Sequence, residues 1–252
     1  MAWFERDGQR TYFEDAGQGE AVLALPGWGG SIAEFARLRA ELADGFRVVA
    51  ADLPGSGRSH PQPRAYPATF YRDDARTFLD LLDHLAIDAA HVVGFSDGGE
   101  VGLVMAGLAP DRIRSVVAWG AAGYLEPTPE TSAGLSRLID DPPESLLPLA
   151  AYLAEAYGAD HARTMAANWS AALAEIAAAG GSISRDLADR VTSPALLITG
   201  SDDPFCPPRV VRETVGALPR GEFIEVEGGG HPLHLSHTDW LHAVVLDWLG
   251  EH

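Results

Sequence analysis

No lysine occurs among the 252 residues, and all eighteen basic side chains are arginines. A Schiff-base mechanism on a lysine amine is therefore closed to this chain. The arginine bias itself reflects genome composition rather than chemistry. A single cysteine, Cys206, excludes an internal disulfide and fits a reducing compartment. It is read here as small buried packing, not as a second nucleophile. No apolar run reaches the ~20 residues of a membrane span. The opening Met1-Ala2-Trp3-Phe4-Glu5-Arg6-Asp7-Gly8 is polar where a secretory leader would be apolar. These absences predict a cytoplasmic protein with no membrane partner. Positive charge is scarce as well: 36 Asp and Glu against 18 Arg leave a formal net charge of −18. That balance argues against nucleic acid. It favours cationic substrates slightly, and a solvated acidic surface explains it equally well.

What is present is a rhythm of strands and helices. Two short strands, around 3–5 and 10–14, flank a turn at Asp7-Gly8. Strand patterns then alternate with helical ones: strands at 21–25, 46–52, 90–95 and 113–119, with helices from Ile32, over 69–85 and from Gly98. Such alternation means βαβ units and a mostly parallel sheet. From about Ala122 to Arg190 it fails. Pro127, Pro129, Pro142, Pro143 and Pro148 punctuate this stretch, and apolar stripes over 146–157 and 161–179 read as helices. The rhythm resumes at Ala195 and ends with a helix over 238–249. We therefore expect one α/β domain with an eight-stranded, mostly parallel sheet and helices on both faces. Its core comprises residues 1–121 and 191–252, with a small helical cap, 122–190, inserted after the sixth strand.

The densest chemical signal lies in Gly94-Phe95-Ser96-Asp97-Gly98-Gly99, directly after the apolar run Ala89-Ala90-His91-Val92-Val93. A buried strand that stops at Gly-x-Ser-x-Gly and enters a helix is the pattern of a nucleophile elbow. The serine takes a strained backbone conformation so that its hydroxyl stands clear of the sheet. Ser96 is the candidate nucleophile. It needs a base, and the base needs an orienting carboxylate, in the chain order Ser, Asp or Glu, His. The strand at 195–200 runs into Ser201-Asp202-Asp203-Pro204, and the strand at 223–226 runs into Glu227-Gly228-Gly229-Gly230-His231. Each candidate follows a strand's C-terminal end, where open parallel sheets bind ligands.

Asp203 is preferred over Asp202 because Pro204 fixes the turn beyond it. His231, at a glycine-rich apex, is preferred over His234 and His237, which begin or precede the last helix. The three histidines lack carboxylate or thiolate partners at ligand spacing, so no metal is assigned. The backbone N–H of Asp97 supplies one oxyanion donor. The turn Pro26-Gly27-Trp28-Gly29-Gly30-Ser31, after the first long strand, supplies the other: Trp28 N–H, with Gly29 as the alternative.

On these residues the chain resembles the α/β-hydrolases, and within them the biphenyl-hydrolase-like, valacyclovirase-type amino-acid ester hydrolases. The likeness runs nearly end to end. It takes in Leu25-Pro26-Gly27 (where most relatives carry His-Gly), Asp52-Leu53-Pro54-Gly55-Ser56-Gly57-Arg58-Ser59 and the Ser96-Asp97-Gly98-Gly99 elbow. It continues through Trp119-Gly120-Ala121, Ala156-Tyr157-Gly158, Gly181-Ser182-Ile183-Ser184-Arg185 and His231-Pro232-Leu233-His234-Leu235. The alanine-rich cap helices depart from the pattern. The resemblance implies Ser96, Asp203 and His231 as a catalytic triad, and Asp97 as the residue that binds a substrate α-amino group. The residues alone allow a second role for Asp97, complementing the positive end of the helix it opens. The expected activity is hydrolysis of small carboxylic esters, α-amino-acid esters among them, with no cofactor, by a monomer or small homo-oligomer; the alternatives are a general carboxylesterase or lactonase without amino-group preference, a relative that breaks a carbon–carbon bond or makes peracids, and, last, a ligand-binding protein that has lost turnover.

Overall fold

The computed structural model describes residues 2–126 and 135–252. Pro127 and Pro129 lie outside them. Eight strands form one sheet: β1 (Ala2–Arg6), β2 (Gln9–Gly17), β3 (Glu20–Leu25), β4 (Phe46–Ala51), β5 (Ala90–Phe95), β6 (Ile113–Trp119), β7 (Ala195–Gly200) and β8 (Gly221–Val226), in spatial order β1-β2-β4-β3-β5-β6-β7-β8. Only β2 runs against the others, pairing antiparallel with β1 and β4. The central strands β3, β5 and β7 are buried along almost their whole length. This is what an apolar run without alternation demands, because both faces of a parallel sheet are covered.

One face packs against α2 (Phe70–His84) and α3 (Asp97–Leu108), with Phe78, Leu81, Val101 and Met105 in its core. The other packs against α1 (Ala36–Leu42) and the C-terminal helix over 238–251, with Leu38, Leu42, Leu241 and Val245. The segment entered at Ile32 is first a 3₁₀ turn, Ile32–Phe35, before α1 begins. Between β6 and β7 the chain forms α4 (Leu147–Tyr157) and α5 (Ala159–Ala178). Sequence periodicity places both to within two residues. A further helix, α6 (Pro208–Val215), links β7 to β8; then come the single turn α7 (Leu233–Ser236) and α8 (Thr238–Glu251). Among the described residues no helix is long and apolar enough to cross a membrane.

Strand order decides where a site can form. From β3 the chain moves to β4 on one side, then returns to place β5 on the other. Connections leaving β3 and β5 therefore diverge at their C-terminal ends and open a crevice there. The Pro26–Ser31 turn and the Ser96 elbow are the two lips of that crevice.

Candidate active site

The elbow is built as its sequence requires. Ser96 sits at φ 51°, ψ −120°, between the last residue of β5 and the first of α3. Its N–H donates to Trp119 O at 2.8 Å, which ties the strained residue to β6. A Cβ at Gly98 would lie 2.3 Å from Leu25 O and 2.5 Å from Pro26 O, so only glycine lets the elbow pass the end of β3. A Cβ at Gly27 would meet the Phe95 ring at 2.9 Å and Ser96 Cβ at 3.3 Å. The glycine-rich turn is thereby seated against the serine.

Ser96 Oγ lies 3.1 Å from His231 Nε2, and His231 Nδ1 lies 2.8 Å from Asp203 Oδ2. Asp203 Oδ1 accepts the N–H groups of Phe205 and Cys206, both at 2.9 Å. Burial pushes the Asp203 carboxyl up, but His231 and these two N–H donors outweigh it and hold the group below the ordinary carboxylate range. Asp203 is thus an anion aimed at the imidazole, which selects the tautomer carrying its proton on Nδ1. Neighbouring Asp202 is exposed, and among the described residues its carboxylate takes only the Ser201 hydroxyl, at 3.1 Å.

The other two histidines are elsewhere. His234 is buried, accepting from Trp119 Nε1 at 3.2 Å against the Phe95 ring. His237 is half-buried beside Ser236 Oγ at the start of α8. Cys206 is buried and donates to Gly120 O at 3.0 Å, and burial pushes its thiol well up. Ligating atoms of Asp203, Cys206 and His231 lie within 4.8 Å of one another. Asp203 and His231 are already engaged with each other, and the thiol is held protonated.

The N–H groups of Trp28 and Asp97 meet no acceptor among the described residues, whereas Gly29 N–H donates to Ser56 Oγ at 3.0 Å. Gly29 N–H is thus engaged by Ser56, and Trp28 N–H is not.

The Asp97 side chain is buried, only 5% exposed. Its Oδ1 accepts from Tyr71 Oη at 2.7 Å and its Oδ2 from Trp169 Nε1 at 3.0 Å. Burial pushes the Asp97 carboxyl up to about 7; Tyr71 and Trp169 counter it, while Glu100 and Asp74 add repulsion. Between the ordinary 3.8 and about 7, the native state holds a proton that the unfolded chain has released, so stability falls as pH rises through this window. Asp97→Asn removes that penalty, since its amide can still accept from Trp169 and meet Tyr71. Melting temperature at pH 8 is expected to rise on the order of 5 °C, and the gain should vanish toward pH 4. A variant that melts lower than wild type at pH 8 would contradict this.

Tyr71, Trp169 and Ser56 carry no local signal that names them, since each reaches the site across 26 or more residues. Glu100 is likewise silent in sequence. Its Oε1 accepts Ala122 and Gly123 N–H at 2.8 and 2.7 Å and its Oε2 accepts Ser184 Oγ at 2.9 Å, anchoring the segment after β6 to α3.

The profile of the alpha/beta hydrolase fold family matches residues 20–168, and that of a TAP-like protein family matches residues 160–250. The serine hydrolase BPHL of Homo sapiens is 31% identical, covering 96% of this chain and 84% of its own length. A 2-hydroxy-6-oxononadienedioate/2-hydroxy-6-oxononatrienedioate hydrolase of Paraburkholderia phymatum is 28% identical, over 96% of this chain and 91% of that protein. Among solved structures, the enol-lactonase of Burkholderia xenovorans LB400 superposes with a TM-score of 0.81 at 22% identity, covering 99% of this chain and all of that one (100%). At that identity the likeness speaks to the fold.

Proposed function

From the premise that this chain belongs to the alpha/beta hydrolase fold family, we propose that it is a serine hydrolase cleaving carboxylic esters through an acyl-enzyme. The observation that carries this reading is the unbroken relay from Ser96 Oγ to His231 Nε2 at 3.1 Å and from His231 Nδ1 to Asp203 Oδ2 at 2.8 Å. Ser96 Oγ attacks the ester carbonyl while His231 Nε2 takes its proton. Asp203 holds the tautomer and stabilises the imidazolium. Trp28 and Asp97 N–H groups bind the oxygen as it gains charge, each worth about 3 kcal/mol in comparable sites. Collapse of the tetrahedral intermediate expels the alkoxide, which receives the proton from His231. Water then repeats the attack on the acyl-enzyme and restores the serine.

A fluorophosphonate probe tests the reading. It should abolish hydrolysis of p-nitrophenyl butyrate and add its mass to the peptide containing Ser96. Unmodified, inhibitor-resistant activity would overturn it.

The same proposal extends to the acyl group. Asp97 stands beside the nucleophile in a water-poor setting, and two neutral donors leave two of its roughly four lone-pair positions free. A substrate α-ammonium placed there would gain a charge-assisted hydrogen bond. Asp97→Asn is then expected to lower kcat/KM on α-aminoacyl esters by about 10–100-fold, with little change on des-amino esters of the same shape. A second reading, a general ester or lactone hydrolase without amino-group preference, is favoured by one observation: each Asp97 oxygen already has a donor. Equal losses on both ester classes would select it.

A further inference from the structure

Two backbone N–H groups from separate lips of the crevice must sit at fixed positions to bind an oxyanion, because the benefit depends on their being oriented before reaction. One lip is intrinsically soft. Gly27, Gly29 and Gly30 surround Trp28, and glycine leaves the backbone freer than any other residue. Something outside the turn must hold it. The helices between β6 and β7 do so at several points. Leu153 of α4 packs on Gly29, where a Cβ would come within 2.6 Å of Leu153 Cδ2. Tyr157 Oη donates to Gly29 O at 2.8 Å and accepts from Gly57 N–H at 2.6 Å.

Trp169 of α5 does more. Its ring stacks on the Trp28 ring, with centroids 4.3 Å apart and planes 10° from parallel. The same indole donates from Nε1 to Asp97 Oδ2 at 3.0 Å. Trp28 in turn is held from its far edge, its Nε1 donating to Tyr66 Oη at 3.2 Å. One side chain from the inserted helices therefore touches the side chains of both residues whose N–H groups the proposed mechanism assigns to the oxyanion.

We propose that Trp169 is a positioning residue that couples docking of the inserted helices to completion of the oxyanion hole. The inference rests on the serine-hydrolase reading above. With α5 docked, the ring face sets the Trp28 peptide and the indole N–H sets Asp97, so both donors converge. With α5 displaced, Ser96 and His231 keep their contact through the sheet and its loops, while the two donors lose their common brace.

Two variants separate the contacts. Trp169→Phe keeps a ring for Trp28 and loses the bond to Asp97; Trp169→Leu loses both and leaves a smaller apolar side chain. On p-nitrophenyl butyrate, Trp169→Leu should lower kcat about 100-fold with KM within about threefold, and Trp169→Phe should recover most of that loss. Affinity for an aryl trifluoromethyl ketone, whose serine adduct carries the anionic oxygen, should fall in parallel with kcat. Affinity for the matching, unreactive alcohol should not.

Unchanged kcat in Trp169→Leu overturns the proposal, as does a loss confined to KM. A kcat loss that Phe does not rescue and that leaves the ketone affinity intact also overturns it, marking Trp169 as packing alone. Fluorophosphonate labelling keeps the two readings apart. Labelled wild type and Trp169→Leu with equal kcat sink only the positioning role, whereas unlabelled, inhibitor-resistant wild type sinks the serine hydrolase and this inference with it.

Discussion

Ser96→Ala is expected to lower kcat/KM on a chromogenic short-chain ester by about 10⁴–10⁶-fold while the protein melts within a few degrees of wild type. The size of the loss comes from removing the hydroxyl that attacks in the proposed mechanism: Ser96 Oγ stands 3.1 Å from His231 Nε2. The small effect on stability comes from the elbow itself. At φ 51° a serine and an alanine carry the same backbone strain, because both have a Cβ. Contacts that seat the turn, such as the approach of Gly27 to Ser96 Cβ, involve the part of the side chain that alanine keeps. Steady-state rates on purified variant together with a thermal melt check both halves. Retention of a tenth of wild-type turnover would show that Ser96 is not the nucleophile.

Asp203→Asn carries the second large effect, about 10⁴-fold in kcat. Geometry says why an isosteric change should matter so much. The Oδ1 position accepts two backbone N–H groups, from Phe205 and Cys206. An asparagine must therefore turn its carbonyl toward them, which aims its NH₂ at His231 Nδ1. The imidazole then accepts at Nδ1 and carries its proton on Nε2, facing the Ser96 hydroxyl it should deprotonate. Asp202→Asn makes the control, because that exposed carboxylate holds only the Ser201 hydroxyl; its kcat should stay within about threefold. The opposite ranking of the two variants would move the acid role to Asp202.

Short-range patterns carried much of the description. Period-two and unbroken apolar runs located the strands, since a strand buried on both faces has no polar positions to alternate. The 3.6-residue stripes located α4 and α5 to within two residues, although their alanine content left the stripes weak. Motif context named Ser96, Asp203 and His231 from three strand ends far apart in the chain, and the structure brings those three side chains within hydrogen-bonding distance. Where the sequence left a choice, longer contacts supplied the distinguishing facts. Gly29, the alternative donor in the sequence, has its N–H on Ser56 Oγ. His234 resembled a candidate base until its ring was seen to face Trp119.

The role of Asp97 shows where that legibility ends. Its identity and its place at the first turn of α3 are local properties, written in a six-residue string that specifies a strand, a strained serine and a helix start. The partners of its carboxylate are not local. Tyr71 lies 26 residues before it and Trp169 lies 72 after it, and neither sits in a turn or repeat that marks it. Backbone propensity and side-chain periodicity act within about ten residues, so they fix elements and the residues at their ends. Which aromatic side chain reaches a buried carboxylate depends on how helices pack across the sheet, and only the assembled chain determines that. The candidate residue types and their order were thus set by sequence alone, while burial, charge state and bracing of the candidate site came from tertiary packing, which places distant groups in a medium where water no longer screens them.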